Sequence, residues 1–177
     1  MESGEKNMSQ NDYQFSGLIS GMKRYITMPF GSDIISNRSI VEITGEAGTG
    51  KSKLCYYFSL NTIIPEKYGG LEKSCLFITT NMRLTDDKLS NFFFDSAKEK
   101  GLTEPEIELM AKKLIYKHLC FEDFQRFISD NFEKFLVENR IQTIIIDNIS
   151  CLCDEKFQED KKYNYPARHK FLFDFFF

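Results

Sequence analysis

Short apolar runs alternate along the chain with longer segments in which apolar residues recur every three or four positions. The short runs, which are typical of buried strands, cover residues 39–44, 74–79, 114–119 and 143–147. The segments between them have the period of helices that bury one face. Regular alternation of strands and helices predicts a three-layer α/β domain with a mainly parallel sheet.

Several predicted helices carry boundary signals of their own. The helix that begins near Ser52 is expected to end before Pro65, because proline cannot continue it. Thr85 is expected to cap the next helix, which ends near residue 101. Thr103 and Glu106 have the spacing of a capping box and predict a further helix through about residue 113.

A phenylalanine-rich segment follows the third run. Its apolar positions step by three and four residues, which predicts one amphipathic helix of about five turns. We interpret this stripe as core and not as a cofactor cage. The positions are Phe121, Phe124, Phe127, Ile128, Phe132, Phe135 and Leu136.

The length of 177 residues predicts one domain with a sizeable core. We expect residues 1–28 to be a flexible tail and lead-in, and residues 29–177 to form the core, with a short strand at 33–36. The net charge of −3 argues against a uniformly basic surface that coats nucleic acid, although a local basic groove stays open. No apolar run approaches the roughly 20 residues of a membrane span.

Five cysteines and the absence of a recognisable signal sequence favour reduced thiols. Cys151 and Cys153 have the spacing of half a zinc site, but His118 and His169 are isolated, so buried thiols are the preferred interpretation.

Residues 45–52 match the phosphate-binding loop G-x-x-x-x-G-K-[ST] between a predicted strand and a predicted helix. The alternative, a glycine-rich turn that binds nothing, does not account for those flanking elements. Backbone amides and the helix N-terminus would face phosphate, Lys51 would add a charge, and the Ser52 hydroxyl would ligate Mg²⁺. The candidate phosphate-binding residues are Gly45, Glu46, Ala47, Gly48, Thr49, Gly50, Lys51 and Ser52.

Asp147 ends the last apolar run. In phosphate-binding-loop NTPases an acidic residue at this end of a strand organises Mg²⁺, and ligands of open α/β sheets bind at the same edge. The alternative is that Asp147 only caps the following turn. Together with the loop upstream, Asp147 favours the metal role.

Four collinear segments resemble the RecA-like DNA-repair recombinases of eukaryotes, and especially their paralogue (mediator) branch of the X-ray-repair cross-complementing type. The segments are residues 42–55, 69–80 with 88–89 beyond, 144–150 and 166–169. The resemblance implies a RecA-like core that binds ATP with Mg²⁺ and acts in homologous recombination in the nucleus. It also implies hetero-oligomers with recombinase or paralogue subunits, which reach single-stranded DNA through the complex.

The chain departs from the family pattern at two places. Asn81 stands where active recombinases have the glutamate expected to polarise the attacking water, which makes binding a safer expectation than rapid hydrolysis. Asn81 as a mere turn residue is an equal alternative. In the family, the strand that lies between the loop strand and the Asp147 strand comes later in sequence than residue 177, so we expect a truncated chain and a gap in the sheet.

Two other functions stay open. One is a generic ATPase or kinase outside recombination, although arginines suited to a lid are sparse after the loop. The other is a non-catalytic interaction subunit that uses ATP structurally or not at all, which Asn81 favours.

Overall fold

The computed structural model describes residues 25–27, 34–36, 39–80, 86–130, 132–159, 162–163 and 165–176. The strands are β1 Tyr25–Thr27, β2 Ile34–Ser36, β3 Ser74–Thr79, β4 Leu114–His118, β5 Ile141–Asp147, β6 Gln158–Glu159 and β7 Lys162–Tyr163. The α-helices are α1 Lys51–Ile63, α2 Asp86–Glu99, α3 Glu104–Ala111, α4 Phe121–Ser129, α5 Phe132–Glu138, α6 Ile149–Phe157 and α7 Tyr165–Phe176. A short 3₁₀ helix spans Glu66–Tyr68.

The central sheet has the order β4-β3-β5 and is parallel throughout. Cys75 lies opposite Leu114 of β4, and Thr79 lies opposite both His118 of β4 and Asp147 of β5. The carboxyl ends of the strands therefore meet at one edge. The predicted three-layer α/β architecture with a parallel sheet is confirmed.

Helices cover both faces of this sheet. The side chains of β3 point alternately to the two faces, and each face packs in its own hydrophobic cluster. Cys75 and Phe77 pack with α1, α2 and α3 on one face. Leu76 and Ile78 pack with α4 and α6 on the other, where Phe171 of α7 adds to the cluster. The central strand β3 is thus buried from both sides, as a strand inside a parallel sheet requires.

The prediction of a strand at residues 39–44 is wrong. These residues form neither strand nor helix, and Ile40 and Val41 are 61% and 49% exposed. A strand is stable only when a neighbour pairs with its backbone. Residues 39–44 belong to none of the sheets among the described residues, and β5 is an edge strand of the described parallel sheet, in agreement with the expected gap.

The prediction of a single helix for the phenylalanine-rich segment is also wrong. The segment forms α4 and α5, and α4 ends at Ser129, because the φ of −98° and ψ of 82° of the next residue, Asp130, are not helical. Aspartate followed by asparagine favours a turn, because both side chains compete for backbone hydrogen bonds. The interpretation of the stripe as core agrees with the burial of Phe121 and Phe124.

Other boundaries agree with the sequence. Helix α1 ends at Ile63, before Pro65, and Thr103 and Glu106 form both bonds of the capping box at α3.

Strand β5 begins two residues earlier than expected, at Ile141. Strands β1 and β2 pair antiparallel, which places a strand inside the expected lead-in.

Thr85, the expected cap of α2, lies outside the described residues. Helix α7 extends to Phe176, and its Phe171 packs on Phe121 with ring centroids 5.3 Å apart, whereas Phe173 is exposed. Within the described part of the chain, no helix is both long and apolar enough to cross a membrane.

Candidate phosphate and metal site

The loop at residues 45–50 forms the predicted turn into α1. Gly50 caps the helix with a φ of 94° and a ψ of 12°, a left-handed conformation that side chains other than glycine rarely adopt. Thr49 closes the turn, because its hydroxyl donates to the Glu46 carbonyl at 2.8 Å. The loop is exposed to solvent, so the unpaired amides at the start of α1 are accessible to an anion.

Lys51 folds back over this loop. Its Nζ donates to the carbonyl oxygens of Gly45 and Glu46, both at 2.7 Å. The ammonium group thus lies over the turn that the sequence predicts to hold phosphate. The structure places Gly45, Glu46 and Lys51 together.

Asp147 ends β5 beside Thr79 at the carboxyl edge of the sheet. It is 6% exposed, and its Oδ2 has no hydrogen-bond partner among the described residues. An unpaired carboxylate oxygen is costly to bury, and oxygen ligands suit Mg²⁺. Asp147 therefore fits a divalent cation, which would satisfy this oxygen.

Asp147 acts electrostatically on Cys55, which lies on α1 one turn after Lys51. Burial and, as the second cause, the charge of Asp147 raise the pKa of the Cys55 thiol to about 12. Burial and then Asp147 also raise the pKa of Tyr56 to about 12. The hydroxyl of Tyr56 is buried without a partner among the described residues. Ile145, two residues before Asp147 on β5, packs in the same cluster as α1, so helix α1 and the Asp147 carboxylate lie on the same side of the sheet.

Thr80 is a residue of this edge to which the sequence pattern assigned no role. Its amide donates to the Asp147 carbonyl at 3.1 Å, and its hydroxyl contacts both backbone groups of Asn148. The sequence feature that could have identified this role is a hydroxyl side chain directly after the apolar run that forms β3. The last residue of β3 lies opposite Asp147. Asn81, the next residue, lies outside the described residues, so its role stays a prediction.

Residues considered for a zinc site are not gathered by the structure. The described residues contain no group of three or more His, Cys, Asp or Glu side chains placed to hold a metal ion. The five cysteines are free thiols, of which Cys75 and Cys153 are buried.

Comparison with known proteins decides the family. The model of the Rad51 family matches residues 19–168, which is most of the chain. The chain belongs to the Rad51 family. The predicted membership in the RecA-like recombinase family is confirmed, and the RecA-like fold class with it.

Two relatives within the Rad51 family carry the name DNA repair protein RAD51 homolog 2. The human protein is 28% identical over 136 residues, which are 76% of this chain and 35% of the relative. The mouse protein is 27% identical over 139 residues, which are 76% of this chain and 38% of the relative. The chain spans just over a third of the length of these relatives.

Proposed function

We propose that the protein binds ATP with Mg²⁺ and acts in homologous-recombination DNA repair, as a paralogue that assists the strand-exchange recombinase on single-stranded DNA. The observation that carries the nucleotide part is the buried, unpaired Oδ2 of Asp147 on the same side of the sheet as the loop helix α1. Family membership and the printed names of the relatives support the repair part.

In this proposal, residues 45–52 form the phosphate clamp. The backbone amides of the loop and the N-terminus of α1 face the phosphates. The Lys51 ammonium moves from the carbonyls of Gly45 and Glu46 to phosphate oxygens. Ser52 and Asp147 hold Mg²⁺, directly or through water. A bound Mg²⁺ supplies positive charge against the phosphates.

Hydrolysis is proposed to be weak. An amide at Asn81 orients water by hydrogen bonding but does not accept its proton, which removes the general base expected in active recombinases. The second candidate function, a non-catalytic interaction subunit that uses ATP structurally, rests on the same residue.

We further propose that residues 29–177 form one RecA-like unit and residues 1–28 its tail and lead-in. The proposed partners are recombinase or paralogue subunits, and the proposed compartment is the nucleus. Single-stranded DNA is reached through the hetero-oligomer. These parts rest on family membership.

A nucleotide titration of the full chain tests the binding proposal. The variants are Lys51→Ala and, as a matched control, Lys53→Ala, which removes an exposed lysine of the same helix. Affinity for a non-hydrolysable ATP analogue with Mg²⁺ is expected to fall about tenfold or more in Lys51→Ala, since a hydrogen bond to a charged group contributes about 1.5–3 kcal/mol. Equal affinity of Lys51→Ala and the unaltered chain would falsify the proposal.

Turnover separates the two candidate functions. Phosphate release is measured with and without single-stranded DNA. Any recombinase subunit that copurifies with the endogenous protein is added to the assay. Stimulation by DNA supports the assisting paralogue. Binding without any turnover, in the same preparation, supports the non-catalytic subunit.

A further inference from the structure

We infer that Thr80 is a positioning residue for Asp147, which it holds through the backbone that follows the carboxylate. This inference rests on the proposed Mg²⁺ role of Asp147. Thr80 is the first residue after β3, and it lies level with the end of β5.

Thr80 fastens the chain at the end of β5 by backbone and side chain together. Its amide donates to the carbonyl oxygen of Asp147 at 3.1 Å. Its hydroxyl donates to the carbonyl oxygen of Asn148 at 2.7 Å and accepts from the Asn148 amide at 3.2 Å. Regular pairing of β3 with β5 stops at Thr79 and Asp147, so the side chain extends the link by one residue.

A hydroxyl suits this place because it donates and accepts through one atom. Valine has nearly the shape of threonine but makes neither bond, so it leaves the backbone groups of Asn148 without these partners. Serine keeps both bonds. The pair Thr80→Val and Thr80→Ser therefore separates the hydroxyl from the methyl group.

Asn148 is held from its other side as well. Its Oδ1 accepts the Cys151 amide at 2.7 Å, which makes Asn148 the N-cap of α6. The peptide that follows Asp147 is thus fixed between Thr80 and the start of a helix. No described residue hydrogen-bonds Oδ2 of Asp147, so Thr80 acts on this carboxylate by restraining the backbone next to it.

The contribution of a supporting group at a metal site can be measured as a change in metal affinity. Loss of a group that orients a metal ligand typically costs about 10- to 100-fold in metal affinity. We expect Thr80→Val to lose about tenfold of the gain in ATP-analogue affinity that Mg²⁺ confers, while affinity in EDTA stays unchanged. Thr80→Ser is expected to keep the gain.

The test is a titration of the full chain with a non-hydrolysable ATP analogue in Mg²⁺ and in EDTA. The variants are Thr80→Val, Thr80→Ser, Asp147→Asn and the double variant of Thr80→Val with Asp147→Asn. If Thr80 acts through Asp147, the double variant loses no more of the Mg²⁺ gain than Asp147→Asn alone. A full Mg²⁺ gain in Thr80→Val, or an equal loss in Thr80→Ser, overturns the inference.

Amide hydrogen exchange gives a readout without nucleotide. Faster exchange of the Asn148 amide in Thr80→Val but not in Thr80→Ser, with the β3–β5 pairing still protected, supports the link. Unchanged protection of Asn148 overturns it. If the unaltered chain binds no nucleotide, the proposed function fails, whereas the exchange measurement still decides the role of Thr80.

Discussion

The hydroxyl oxygens of Thr62 and Thr143 lie 3.0 Å apart and join α1 to β5 inside the protein. The Thr62 oxygen also lies 2.9 Å from the carbonyl oxygen of Phe58, to which it donates. A hydroxyl has one hydrogen, so Thr143 is the donor toward Thr62. Helix α1, which follows the loop at residues 45–50, is thus tied by side chains to the strand that ends in Asp147.

Replacement of either threonine by valine should destabilise the fold. Thr62 is fully buried, and each hydroxyl removed leaves the other with one partner fewer. We expect Thr62→Val and Thr143→Val each to lower the free energy of unfolding by about 1 kcal/mol. The two changes should be less than additive, since they remove the same bond. Urea denaturation measures all four chains, and strict additivity would refute the shared bond.

Gly70 should tolerate no side chain. A Cβ at this buried position would lie 2.1 Å from the carbonyl oxygen of Ile64, which is backbone and does not move aside easily. We expect Gly70→Ala to cost about 3 kcal/mol of stability.

Gly101→Ala is the matched control for Gly70. Gly101 has a φ of +82° but open space around its Cβ position, so only backbone strain of about 1 kcal/mol is expected. Thermal unfolding ranks the two variants. A smaller loss in Gly70→Ala than in Gly101→Ala would contradict the close approach.

The capping box of α3 should make stability depend on pH in the acid range. Lys67, and then Thr103, lower the pKa of Glu106 from 4.5 to about 2. A carboxyl whose pKa is lower when folded contributes stability above its unfolded pKa of 4.5 and loses it as the pH falls toward 2.

Glu106→Gln isolates this effect, because the amide oxygen still accepts from Thr103 but carries no charge. The difference in melting temperature between the unaltered chain and Glu106→Gln should be full at pH 6 and should shrink between pH 4.5 and 3. A constant difference across that range would exclude the proposed linkage.

Alkylation of Cys55 reports the nearness of Asp147. Because Asp147 contributes to the raised pKa of Cys55, Asp147→Asn should lower that pKa and increase the rate at which iodoacetamide modifies Cys55 at pH 9. Burial remains the larger cause, so the reaction stays slower than that of a free thiol. Cys75 is the internal control, since its pKa is raised by burial and by Cys55 but not by Asp147. Mass spectrometry of the modified peptides measures both rates, and equal acceleration of Cys75 would indicate loosened packing.

The elements that the sequence predicted well are those with local signals. Proline at position 65 ended α1, and Thr103 with Glu106 started α3, because these effects act over a few residues. The burial of β3 on both faces followed from its unbroken apolar run.

The errors and omissions depend on distant partners. Residues 39–44 have the composition of a strand, but a strand also needs a neighbour that composition does not reveal. The bonds of Thr80 to Asn148 and of Thr62 to Thr143 join residues 68 and 81 positions apart. No periodicity within one element reports such contacts. The loop and Asp147 were found because each carries its signal in its own segment.

The two carbonyl contacts of Lys51 change what a lysine substitution measures. In the proposed function, phosphate has to compete with the carbonyl oxygens of Gly45 and Glu46 for the same ammonium group. The affinity that the proposed titration measures is therefore a difference between two sets of bonds to one side chain, and Lys51→Ala deletes both sets at once. The loop in this sense carries an intramolecular competitor, and the loss on substitution is smaller than the full strength of the lysine–phosphate contact.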